Sequence, residues 1–181
     1  MATSERVSKL KLLLGELETP TQKEFLKAPQ LPRGLPKGCV VELLGPLKTE
    51  WLIQFLKDQP EFRIFWAERD PQILPTALSQ RGLDLTRVTF GHLGEDLFLP
   101  LRRVLQSQLY QAVIAPQRFD EVRVLKTFQL LTEKSNSVLF LMGQHSPSRA
   151  WPISVQLEIQ KDPAQVFKVE VLKHKYGAHE S

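Results

Sequence analysis

The chain has 181 residues, 42% hydrophobic and 24% charged, with a formal net charge of +4 at pH 7. Such a length suits one domain with a substantial core, and the hydrophobic share excludes a wholly disordered chain. The single cysteine, Cys39, excludes an internal disulfide framework, and no apolar run approaches the roughly 18 residues of a membrane-spanning helix.

In chain order, the first periodic segment is Val7, Leu10, Leu14 and Leu17, spaced three, four and three, which is one stripe of a helix. Thr19-Pro20-Thr21 ends it, and a stretch with Pro29, Pro32 and Pro36 follows. Residues 1–33 therefore read as an N-terminal helix on a linker, and 34–181 as the core domain. The helix either folds back on its own domain or presents its stripe to a partner.

From Gly38 onward short apolar runs alternate with helical patterns. Strands are predicted at Cys39–Leu44, Phe62–Trp66, Val88–Phe90, Ala112–Ala115 and Val138–Met142. Helices are predicted near Thr49–Lys57, Gln72–Arg81, Leu97–Ser107 and Glu121–Lys134, the last with Val122, Leu125, Phe128 and Leu131 on one side. Repeated βα units with near-continuous apolar strands predict an α/β fold with a mostly parallel sheet covered on both faces. Alternation at Val155, Leu157 and Ile159, and again at Phe167, Val169 and Val171, predicts a C-terminal antiparallel hairpin around Lys161-Asp162-Pro163-Ala164.

Ligands of open α/β sheets bind beyond the carboxyl ends of the strands, so the first strand-to-helix junction matters most. It reads Leu44-Gly45-Pro46-Leu47-Lys48-Thr49. Gly followed by Lys-Thr at a helix start is reminiscent of the phosphate-binding loop, in which a long run of backbone N–H groups curls around phosphates. Here Lys48 stands only three positions after Gly45 and the second glycine is absent. The turn is too short to encircle a phosphate.

The segment Gly34-Leu35-Pro36-Lys37-Gly38 leading through Val40-Val41-Glu42-Leu43-Leu44 to Gly45-Pro46 resembles the entry to the core of the RecA recombinase family. The likeness continues in order. Phe65-Trp66-Ala67-Glu68 resembles the strand whose glutamate lies near the ATP γ-phosphate, and Val138–Gln144 the strand ending in the γ-phosphate-sensing glutamine. Arg81–Val88 looks like a helix exit in that family, and Val155–Ile159 with Val166–Tyr176 like the strand pair after its DNA loops. Residues Arg6–Glu18 look like its polymerisation arm.

The resemblance implies a RecA-like mostly parallel sheet flanked by helices, with Gly45, Lys48 and Thr49 at a degenerate phosphate-loop position. Glu68 and Gln144 fall at vestigial ATP-site positions. The aspartate that supports Mg²⁺ in the family is missing, since Pro116-Gln117 follows the strand Ala112–Ala115. The two DNA loops shrink to Pro116–Asp120 and His145–Trp151. These departures lead to the expectation of no ATPase, no catalytic residue, no cofactor and no strand exchange.

Two RecA-resembling groups share such losses: ImuA-like accessories of damage-induced translesion synthesis, and SulA-like inhibitors of cell division. The retained arm and the Gly34–Pro46 entry look more like the ImuA side. The expectation is a cytoplasmic protein acting by contact with RecA, a translesion polymerase subunit or another copy. Its partner-binding residues would be Val7, Leu10, Leu14, Leu17 and Trp151. Division inhibition, and residual nucleotide or DNA binding, are the alternatives.

The histidines and Cys39 fall outside metal-ligand spacing, so no metal site is expected. Arg118 and Arg123, and Lys173 and Lys175 beside Tyr176, either contact nucleic acid or are solvated. Trp151, in Arg149-Ala150-Trp151-Pro152, is either an exposed anchor or a plug in the space vacated by ATP.

Overall fold

The computed structural model describes residues 23–70, 73–144 and 146–176. The predicted N-terminal helix with Val7, Leu10, Leu14 and Leu17 lies outside them.

The described chain opens on a hairpin, β1 (Phe25–Ala28) and β2 (Leu31–Pro36), paired antiparallel. The proline-rich stretch read as a linker is thus a correction. Its prolines sit where a short hairpin tolerates them, at the turn and on a two-stranded edge, and Leu26, Leu31 and Leu35 face inward. Gly34 adopts φ +71° with its Cα against the Leu26 carbonyl, so only glycine fits there.

The main sheet has seven strands. In chain order they are β3 (Cys39–Leu44), β4 (Ile64–Glu68), β5 (Val88–His92), β6 (Ala112–Pro116), β7 (Val138–Met142), β8 (Val155–Gln160) and β9 (Lys168–His174). Their spatial order is β5-β4-β6-β7-β3-β8-β9. All neighbours are parallel except β8 and β9. The fold class read from the sequence is therefore observed. One detail differs: β8 itself runs parallel to β3, and only β9 is reversed.

Among the described residues four α-helices connect the strands: α1 (Lys48–Lys57), α2 (Pro75–Gln80), α3 (Phe98–Ser107) and α4 (Val122–Ser135). The near-continuous apolar strands conceal a two-residue period, because both faces are covered. Val41, Leu43, Ile64, Trp66, Ile114 and Phe140 face α1 and the β1–β2 hairpin. Val40, Phe65, Val113, Leu139 and Leu141 face α3 and α4.

On the first face Trp51 and Phe55 stack at 5.8 Å, and the Trp51 Nε1–H donates to the Pro29 carbonyl at 2.9 Å, tying the hairpin to α1. Arg87 caps the other end of α1, donating to the carbonyls of Leu56 (2.7 Å) and Gln59 (2.6 Å). On the second face Phe128 packs edge-on against Phe119 at 5.0 Å and close to Phe98 at 5.6 Å. The buried stripe of α4 is Leu125, Phe128, Gln129 and Thr132, so Val122 is turned outward rather than inward as its spacing suggested.

Candidate functional site

The ends of β4, β6 and β7 and the start of α1 enclose an open cleft of about 460 Å³. Among its walls are Lys48, Thr49, Glu68, Arg118 and Gln144. Five residues singled out from separate stretches of sequence thus meet in one place. Strand order explains it. The chain leaves β3 for β4 past β6 and β7, and the carboxyl ends of those strands open onto the gap such a crossover leaves.

Gly45, at φ +86°, turns the chain from β3 toward α1 with its Cα against the backbone of Ile159 in β8. The next free amide, Leu47 N–H, donates to the Ile159 carbonyl at 3.3 Å, and Trp51 N–H already bonds Leu47 O at 3.0 Å. The turn is therefore laid along a strand instead of arching over the cleft. Lys48 Nζ lies 3.5 Å from the Gly45 carbonyl, and partial burial lowers its pKa from the ordinary lysine value.

Glu68 accepts the Ile73 N–H at 3.0 Å, so this carboxylate anchors the chain after β4. Arg69 pairs with Glu95 and lies 3.7 Å from Asp70. Pro116, which ends β6 at the position where the resemblance called for an aspartate, lines the cleft and offers no side-chain ligand for a cation. Among the described residues no group of three or more His, Cys, Asp or Glu side chains is placed to hold a metal ion. Nor is any described helix long and apolar enough to cross a membrane.

The other expected residues do not join the cleft. Arg123 is exposed near the start of α4. Trp151 is not among the cleft-lining residues and is 52% exposed, so it does not plug that space; Lys126 Nζ stands 4.7 Å over its ring. Lys173 Nζ is directed to the carbonyls of Ala150 (3.4 Å) and Trp151 (3.3 Å). Burial chiefly, and then neighbouring Lys175, lowers the Lys173 pKa, while Glu42 opposes the shift. Lys175 N–H bonds Ser154 O, just before β8, whereas Arg118 follows the end of β6. Of the four basic residues only Arg118 lines the cleft, while Lys173 is bound to the loop of Trp151, whose ring is covered by Lys126, three residues from Arg123.

One residue escaped the sequence reading. Glu42, inside β3, is fully buried and accepts three hydrogen bonds: from Gln156 Nε2 (2.6 Å), Ser148 N–H (2.9 Å) and Gln117 Nε2 (3.3 Å). Its carboxylate ties together the loops after β6 and β7, one through Gln117 and one through Ser148. A buried carboxyl group demands such partners. The available signal was the single acidic residue inside an otherwise apolar strand.

No protein-family model and no curated protein sequence matches the chain. Among solved structures, a RadB recombinase matches with a TM-score of 0.55 at 18% identity, over 80% of this chain and 84% of that one. The fold is RecA-like. At that identity the likeness speaks for the fold alone. The cleft at the carboxyl ends of β4, β6 and β7 holds Lys48, Glu68 and Gln144, and the turn Gly45–Lys48 beside it is bonded to Ile159 of β8.

Proposed function

We propose that this chain is a non-catalytic RecA-like protein of the bacterial DNA-damage response, an ImuA-like accessory of translesion synthesis that works by contacting RecA or a polymerase subunit. The observation that carries the non-catalytic part is the turn Gly45–Lys48. A phosphate needs a row of free amides, and this turn directs Leu47 N–H to Ile159 instead. Pro116 at the end of β6 supports the same reading, because it stands where the family has the aspartate that supports Mg²⁺. The resemblance of residues 6–18 to a polymerisation arm supplies the contact, with Leu10 and Leu14 as anchors of an i, i+4 pair. Size-exclusion of the full chain with RecA tests it: co-elution is expected, and Leu10→Asp with Leu14→Asp is expected to abolish it. Co-elution unchanged by the two substitutions overturns the assignment of the arm.

A second reading, residual nucleotide binding, is favoured by one observation. Lys48, Thr49, Glu68 and Gln144 still line a single cleft. A ligand that binds only the native state raises its melting temperature. No shift at millimolar ATP with Mg²⁺ closes this reading, and a saturable shift overturns the first.

A further inference from the structure

We propose that the outward flank of α4, together with Trp151, is a docking surface for an acidic amphipathic peptide segment of a partner protein. Val122, Lys126 and Leu130 stand at i, i+4 and i+8 of α4, a stripe about 12 Å long on the flank bordering buried Gln129, to whose Oε1 Lys126 Nζ donates at 3.2 Å. Val122 is 43% exposed and Leu130 53%. Trp151 meets this stripe at its middle residue, where Lys126 Nζ lies over the ring. Large apolar side chains exposed singly are ordinary on a protein surface; two aliphatics flanking the lysine that covers a half-exposed tryptophan form a patch.

The tryptophan is held in place from behind. Ala150 and Ile153 on either side of it are buried, Lys173 binds the carbonyls of Ala150 and Trp151, and Ser148 N–H is fixed to Glu42. A tryptophan whose backbone is already held loses less freedom when a partner covers it, and this is the residue type that anchors interfaces.

Charge selects the occupant. Lys126 and Arg123 border the apolar stripe on the helix, and exposed Arg149 precedes the tryptophan. A nucleic-acid strand would satisfy these cations but leave Val122 and Leu130 against a hydrated backbone. Exposed Glu121 and Glu133 lie toward the two ends of the stripe, so the occupant's carboxylates are accommodated between them, beside Arg123, Lys126 and Arg149. A peptide with apolar residues on one face and carboxylates at its edges uses both features. The surface belongs to the folded core, and the inference does not rest on the ImuA-like reading or on the N-terminal stripe.

The test uses the full chain and a fluorescein-labelled synthetic peptide with Leu at i, i+4 and i+8 and Asp or Glu elsewhere, read by anisotropy. A matched peptide with Lys in place of the acids, and an oligothymidylate, are the other arms. Saturable binding of the acidic peptide alone is expected, weakened about tenfold or more by Trp151→Ala and by Leu130→Asp, and largely retained in Trp151→Phe. Both positions are exposed, and unchanged unfolding midpoints verify the variants' fold. Absence of saturable acidic-peptide binding, binding indifferent to both substitutions, or oligothymidylate binding lost in Trp151→Ala without competition by the peptide overturns the proposal.

Discussion

Gly45 rests its Cα against the carbonyl of Ile159, so the turn leaving the first core strand is pinned to β8. A Cβ at this position would overlap backbone atoms, which no rotamer change can relieve. It would also carry the φ of +86° that L-residues disfavour by roughly 1 kcal/mol. Gly45→Ala is therefore expected to cost about 3 kcal/mol in chemical denaturation. Gly94, at φ +64° with open space around it, is the control. Gly94→Ala is expected to cost only about 1 kcal/mol. Equal costs would mean that the contact with Ile159 does not constrain the turn.

Glu42 makes a second prediction. Removing its carboxylate leaves Ser148 N–H and Gln117 Nε2 without this acceptor, and Gln156 Nε2 with only the Ser148 carbonyl at 2.7 Å. Glu42→Ala is expected to destabilise by about 3 kcal/mol or more, since unsatisfied buried donors cost roughly 1–3 kcal/mol each and relax only in part. Hydrogen exchange distinguishes this from a general loss of packing. Protection of the Ser148 amide falls selectively if the carboxylate is what holds that loop, and falls no more than that of β7 if it is not.

Cys39 supplies a pH dependence. Its thiol is buried beneath the hairpin, donates to the Pro36 carbonyl at 2.9 Å, and has its pKa pushed up by burial to about 12 from 9.0. The unfolded thiol loses its proton first as pH rises, so stability is full below about pH 9 and declines from there toward pH 12. One such group gives a slope of about 1.4 kcal/mol per pH unit. Denaturation of the wild type against Cys39→Ala isolates it, because other groups titrate equally in both. Parallel curves above pH 9 would contradict the buried thiol. The same burial predicts no alkylation of native Cys39 at neutral pH, with full reaction after unfolding.

Much of this was legible in the residues. The runs Val138–Met142 and Cys39–Leu44 read as core strands because covering both faces leaves no polar position to interrupt them. Lys48 stood out at the first strand-to-helix junction, Glu68 and Gln144 through the resemblance to strands of the RecA family, and the structure brings all three to one cleft. The hairpin Phe25–Pro36 was not legible, since three prolines in twelve residues carry the signature of a linker. What makes it a hairpin is long-range: Trp51 bonding Pro29, and Gln59 Nε2 bonding the Lys27 carbonyl at 3.0 Å. Val122 failed for a related reason. Helical spacing places it at the margin of the apolar stripe, and only the position of the sheet decides which side of that margin is covered.

The central claim is that this RecA-like domain acts by contact and not by turning over a nucleotide. Damage-induced mutagenesis in a strain lacking the chain, complemented by variants, tests it most directly. Lys48→Ala with Glu68→Ala is predicted to restore mutagenesis to the wild-type level, while Leu10→Asp with Leu14→Asp is predicted to leave it at the level of the deletion. Loss of mutagenesis in the Lys48/Glu68 variant, with the Leu10/Leu14 variant fully active, would contradict it.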